Sequence, residues 1–188
     1  MEKEEFIDAY KENFVNNDEL KLKFEMGGDM DDDKRLNQVL QRFREVSNYV
    51  FKGNEVWILL IIWDANGKNK QELINSGFDI SMASSYYDGA IDDGLIRKQN
   101  FYEEAFQDAE ILYLKYKHYS FDDIMPLVYS KAGFELGYEN TAGIVAYFVS
   151  FENQPVLLNL YDDRGMELLS HDGEMINKIS MEFSEYII

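Results

Sequence analysis

The sequence predicts an α+β fold in one domain spanning residues 1–188, a mainly antiparallel sheet with helices packed against it. Three observations lead there. Apolar runs of strand length cluster late in the chain and are joined by connections too short for crossover helices. Helical periodicities interrupt the first half. The chain is 46% hydrophobic, with 13 Phe, 13 Tyr and 2 Trp against 2 Pro in 188 residues, enough for one large core and too short for two comfortable domains.

Phe6, Ile7, Tyr10 and Phe14 fall on one helical stripe, with Glu2, Glu4, Glu5 and Asp8 in the early turns where acids complement the helix dipole; Asn16 and Asn17 stop it. From Leu20 the period becomes two. Leu20, Leu22, Phe24 and Met26 take one side and Lys21, Lys23 and Glu25 the other, a strand with one wet face. Gly27-Gly28 turns the chain into the aspartates 29 and 31–33, which cap the next helix. Leu36, Val39, Leu40, Phe43, Val46, Val50 and Phe51 recur at steps of three and four, so that helix runs from Asp33 to Phe51 and breaks at Gly53-Asn54. Val56 to Trp63 is continuously apolar and rich in β-branched residues, the pattern of a central strand covered on both faces.

Asp64-Ala65-Asn66-Gly67 turns the chain, and Asn69 to Ser76 is a short helix ended by Gly77. From Phe78 to Gln99 turn signals surround short apolar pieces, which fit loops or short strands. Ile111 to Tyr119 is a strand with Lys115 and Lys117 on one face and Leu114, Tyr116 and His118 on the other. Ser120 caps a helix, with Asp123 as its capping-box partner, Phe121, Ile124, Leu127 and Val128 inward, and Gly133 as the stop. Three runs, Ile144–Phe151, Val156–Tyr161 and Met166–Leu169, form an antiparallel meander. Met175, Ile176, Ile179, Met181 and Phe183 mark a closing helix that packs on the sheet.

Composition excludes several functions. Thirty-six acids against eighteen bases give a net charge of −18, which repels nucleic acid and anionic membranes. Without cysteine there are no disulfides, thiolate zinc sites or cysteine nucleophiles. The acidic start and the absence of a run of ~18 apolar residues predict a cytoplasmic location.

Asp29, Asp31 and Asp33 have the first spacings of a calcium loop. Lys34 and Leu40 stand where the glycine and the bidentate glutamate belong, so a solvated capping loop is expected and no metal site. His118 and His171 are the chain's two histidines, predicted to be a half-buried packing residue and an exposed one near the last helix. No Gly-x-Ser-x-Gly elbow and no phosphate-cradling glycine loop is present. Arg35, Arg42 and Arg44 make the one locally basic stretch and are expected to pair with nearby acids. Tyr86-Tyr87 and Phe101-Tyr102 suit either a core or a partner contact.

The distinctive landmark is Tyr161-Asp162-Asp163-Arg164-Gly165. Paired acids beside an arginine suit a charged ligand or a metal, which makes Tyr161, Asp162, Asp163 and Arg164 candidate binding residues. As a plain hairpin turn, the aspartates would bond their own backbone, Gly165 would supply a positive φ, and Arg164 would reach a nearby carboxylate.

Leu20 to Gly27, then Arg35, Gln38 and Arg42 on the helix, then Asn54-Glu55-Val56-Trp57, and the tyrosine-to-glycine landmark late in the chain resemble the bacterial domain-of-unknown-function 3885 family. Such families have arginine in the early strand where this chain has Lys21 and Lys23. The resemblance implies a small intracellular bacterial protein and supplies no activity.

Charge and missing machinery point to a non-enzymatic acidic binding protein, of the immunity or antitoxin-like kind, that meets a basic protein partner and needs no cofactor. The alternative is a divalent-metal-dependent hydrolase using Asp162 and Asp163.

Overall fold

The computed structural model describes residues 1–15, 19–63, 67–81, 84–86 and 109–188. Along these the chain runs through α1 (Lys3–Tyr10), a π-helical turn (Lys11–Val15), β1 (Leu20–Glu25), α2 (Asp32–Phe51), β2 (Val56–Trp63), α3 (Lys68–Asn75) and β3 (Ser84–Tyr86). It continues through β4 (Ala109–Tyr116), α4 (Phe121–Phe134), β5 (Ile144–Ser150), β6 (Val156–Leu160), β7 (Gly165–Ser170) and α5 (Gly173–Glu182). The strands make one sheet in the order β1-β7-β6-β5-β2-β4-β3, with every described pairing antiparallel. The fold is α+β, and β5, β6 and β7 are the expected meander.

Strand β2 lies between β4 and β5, and Val56 to Ile62 are all buried, Trp63 partly so. Its two faces serve two cores. Ile58, Leu60 and Ile62 join Phe43 and Val46 of α2 and Leu127 of α4. Trp57, Leu59 and Ile61 join Phe6, Tyr10 and Phe14, and the Phe6 ring stacks on Trp57 at 4.7 Å between centroids. A strand sandwiched this way needs apolar residues at every position, which is why its sequence shows no alternation.

Strand β1 is held on both sides. One side pairs along its length with β7. On the other, Glu25 N donates to Tyr186 O at 2.7 Å and Ile188 N to Lys23 O at 3.1 Å, with an isolated bridge between Phe24 and Ile187. Leu20 at its outer end is exposed, whereas Phe24 and Met26 are buried, so the expected apolar side sinks progressively into the core.

Several local expectations are corrected. Helix α2 starts at Asp32, because Asp31 is its cap and Asp31 Oδ1 accepts from Lys34 N at 3.1 Å. Ser120 is the N-cap of α4 but makes no side-chain cap bond, so the capping box with Asp123 does not form. Gly133 lies inside α4, where a Cβ would stand 3.0 Å from the Thr141 methyl group; close packing and not helix termination explains it. Strand β4 ends at Tyr116, and the chain bends so that Tyr119 N donates to Asn54 O at 3.0 Å, which leaves His118 exposed instead of half-buried. Met181 is exposed because it lies off the α5 stripe of Met175, Ile176, Ile179 and Phe183. Asn16-Asn17, Asp64 to Asn66, Tyr87, Phe101-Tyr102 and most of Phe78–Gln99 lie outside the described residues. No described helix is long and apolar enough to cross a membrane.

Candidate functional site

The landmark connects β6 to β7 as a tight turn. Asp162 Oδ1 accepts from the backbone N–H of both Arg164 and Gly165 at 2.8 Å, and Tyr161 N donates to Gly165 O at 3.2 Å. An aspartate bonding to amides two and three residues on is ordinary turn chemistry. Gly165 works differently from expectation, since the described glycines with positive φ are Gly53, Gly67, Gly77 and Gly137. A Cβ at Gly165 would instead run into the ring and hydroxyl of Tyr161, so the glycine is there for space.

The second aspartate has a separate task. Asp163 is 4% exposed, and its Oδ2 accepts from Arg35 Nη1 at 3.2 Å. Arg35 Nε and Nη2 donate to the carbonyls of Gly28 and Met30 at 3.2 and 3.1 Å. One guanidinium thus neutralises the turn after β6 and closes the connection between β1 and α2. Gly27 permits this approach, because a Cβ there would meet the Asp163 carbonyl oxygen and the Arg35 stem. Farther along α2, Gln38 Nε2 donates to Met26 O at 3.0 Å, and Arg42 Nη1 donates to Glu25 O while its guanidinium lies 4.6 Å from the Tyr186 ring. Arg35, Gln38 and Arg42, spaced by three and four, form one stripe that grips the outgoing end of β1.

The expected pairing of α2 arginines with acids holds for Arg35, for Arg42 with Glu25 Oε2 at 3.8 Å and for Arg44 with Asp122 Oδ1 at 3.2 Å. Their carbonyl contacts were not anticipated, although three long polar side chains on one helical stripe are the signal that points to them. Arg164 does not reach a carboxylate among the described residues, and its side chain is exposed.

A cleft of about 1000 Å³ opens beside this turn, where β5 and β7 begin and β6 ends. Tyr161, Asp162, Asp163 and Arg164 all line it, so the four candidate residues share one place. So do Lys131 near the end of α4, and Asn159 and Glu167 on β6 and β7. Asn159 Nδ2 donates to Glu167 Oε1 at 3.2 Å, and Glu167 Oε2 lies 3.2 Å from Lys21 Nζ. Burial pushes the Lys131 ammonium below its ordinary pKa, against the opposing pull of Glu135 and Asp162. Burial, with Asp162 and Glu167 nearby, pushes the Tyr161 phenol up.

The remaining candidates lie elsewhere. His171 is exposed, as expected, with Nε2 2.7 Å from Asn13 O and its ring stacked on Phe14. Among the described residues no three His, Asp or Glu side chains gather as a metal-holding group. At the C-terminal end of α2 a groove of about 570 Å³ combines aromatic rings with acids. Tyr49 is 50% exposed and meets Phe183 edge-on at 5.4 Å; Glu45, Glu182 and Glu185 flank the rings. Tyr186 donates to Glu45 Oε2 at 2.5 Å, a bond that pushes the phenol pKa up.

The family model described as a domain of unknown function (DUF3885) matches residues 4–188. No curated protein and no solved structure matches the chain.

Proposed function

The chain belongs to the domain of unknown function (DUF3885) family, and from that premise we propose that it is a cytoplasmic, non-enzymatic binding protein of the immunity or antitoxin-like kind that meets a basic protein partner. One observation carries this: the groove beside Tyr49 sets one exposed aromatic ring and two half-buried ones, Phe183 and Tyr186, among carboxylates. Rigid aromatic side chains supply much of the energy of protein interfaces, and a carboxylate rim selects a cationic surface. A net charge of −18 likewise favours a positively charged partner over long range.

Capture from the native cell tests it. A basic protein is recovered at stoichiometric yield with the wild-type chain and lost with Tyr49→Ala and with Glu182→Gln/Glu185→Gln. Equal recovery by wild type and variants, or recovery of no basic protein, rejects the groove as the contact.

The competing proposal, a divalent-metal-dependent hydrolase on Asp162 and Asp163, draws less support. One oxygen of each carboxylate is already engaged, Asp162 Oδ1 by two backbone N–H donors and Asp163 Oδ2 by Arg35. Its test is a magnesium- or manganese-dependent rise in melting temperature that Asp162→Asn abolishes.

A further inference from the structure

The cleft beside the β6–β7 turn holds more polar groups than the turn uses. Lys23, Arg35, Lys131 and Arg164 line it together with Glu135, Asp162, Asp163 and Glu167, so it is locally neutral in a chain of net charge −18. An anion is repelled less there than over the acidic surface at large.

Not all of that charge is spent. Arg35 is committed to Asp163 and two carbonyls. The Lys131 ammonium and the Arg164 guanidinium have no hydrogen bond or ion pair among the described residues. Lys131 is partly buried as well, and the attraction of Glu135 and Asp162 does not offset the water its charge has lost, a condition that an incoming anion relieves. An acceptor is also idle: Asn159 is 1% exposed, its Nδ2 is fixed on Glu167, and its Oδ1 has no partner.

We propose that this cleft binds a small phosphate monoester carrying a hydroxyl, with the phosphate against Lys131 and Arg164 and the hydroxyl donating to Asn159 Oδ1. The charges of Lys131 and Arg164 together match a dianion, and the arginine fork fits two phosphate oxygens at once. The Tyr161 phenol keeps its proton at neutral pH and adds a donor on the same wall. A volume of about 1000 Å³ is at the upper end of the range for small-molecule sites. The site is independent of the partner groove, which lies about 20 Å away along α2, the rise from Arg35 to Tyr49.

Calorimetric titration of the full chain with glycerol 3-phosphate tests the proposal. Saturable binding of one molecule per chain is expected, with inorganic phosphate weaker and glycerol alone silent. Lys131→Met and Arg164→Gln each weaken it by about tenfold or more, the usual worth of a charge-assisted hydrogen bond. Arg164 is exposed on a turn, so Arg164→Gln decides the matter alone if Lys131→Met does not fold. No saturable binding, wild-type affinity in Arg164→Gln, or tighter binding of succinate than of glycerol 3-phosphate overturns it. The Tyr49 variants leave this titration unchanged, which separates its outcome from that of the partner test.

Discussion

Arg35 Nη1 and Asp163 Oδ2 meet at 3.2 Å although 128 positions separate them in the chain. The pair ties the first connection after β1 to the turn after β6, and Gly27 clears the space beside it. Replacing Asp163 therefore acts on buried charge and not on the turn.

Asp163→Asn is expected to cost about 1.5–3 kcal/mol, because the amide still offers an oxygen but leaves the mostly buried guanidinium only the more distant, exposed carboxylate of Asp32 at 3.9 Å. Arg35→Met/Asp163→Leu should recover part of the loss, since an apolar pair of similar volume removes both charges. Urea unfolding of the wild type and these variants measures it.

Gly165→Ala should destabilise by about 1–3 kcal/mol through overpacking against the Tyr161 ring. The same substitution in a Tyr161→Ala background should cost far less. A glycine needed for positive φ would show no such rescue, so a double-mutant cycle separates the two explanations.

Leu60 is fully buried on the helix-facing side of β2. Leu60→Ala should cost about 2–5 kcal/mol through lost burial and a cavity. A loss below ~1 kcal/mol in chemical denaturation would contradict the central position of the strand.

Alkaline pH should destabilise the fold. Burial, with Asp123 and Asp79 nearby, pushes the Tyr116 phenol up to about 12 from an ordinary value of 10.0, and burial pushes Tyr119 further in the same direction. A raised phenol pKa means that the folded state keeps the proton. The contribution is thus complete below pH 10 and lost as the pH rises from 10 through 12 and beyond. Melting temperature should be flat near neutrality and fall above pH 10, with tyrosinate absorbance rising alongside. Tyr116→Phe should soften the fall.

Association with a basic partner should be fast at low salt and slow as ionic strength rises, over an interface near ~1,600 Å². Stopped-flow rates between 20 mM and 500 mM salt provide the check. A rate indifferent to salt would reduce the chain's acidity to a solubility device.

Much of this architecture is written in local pattern. The uninterrupted apolar run of β2, the stepwise stripe of α2 and the short links of the meander each follow from period, length and turn chemistry. What escaped is long-range. No local signal joins Arg35 to Asp163, and a glycine at a turn looks the same whether it serves φ, as Gly77 does, or clearance, as Gly165 does. The exposure of His118 has a related cause: its alternation continues that of β4, while the chain bends away to let Tyr119 meet Asn54. In the landmark, the turn chemistry of Asp162 was legible. The separate fates of Asp163 and Arg164 depend on what α2 brings alongside.

The clamping of β1 has a consequence for the order of synthesis. Residues 20–25 leave the ribosome long before their partners, which on one side belong to β7 and on the other to residues 186–188. More than a hundred further residues must be made before either neighbour exists. Until then an amphipathic strand waits with its amide ladder unpaired, open to other nascent chains. Its charges at Lys21, Lys23 and Glu25 keep one face wet during that delay, and the grip of Arg35, Gln38 and Arg42 offers an early hold on its outgoing end, since α2 emerges next.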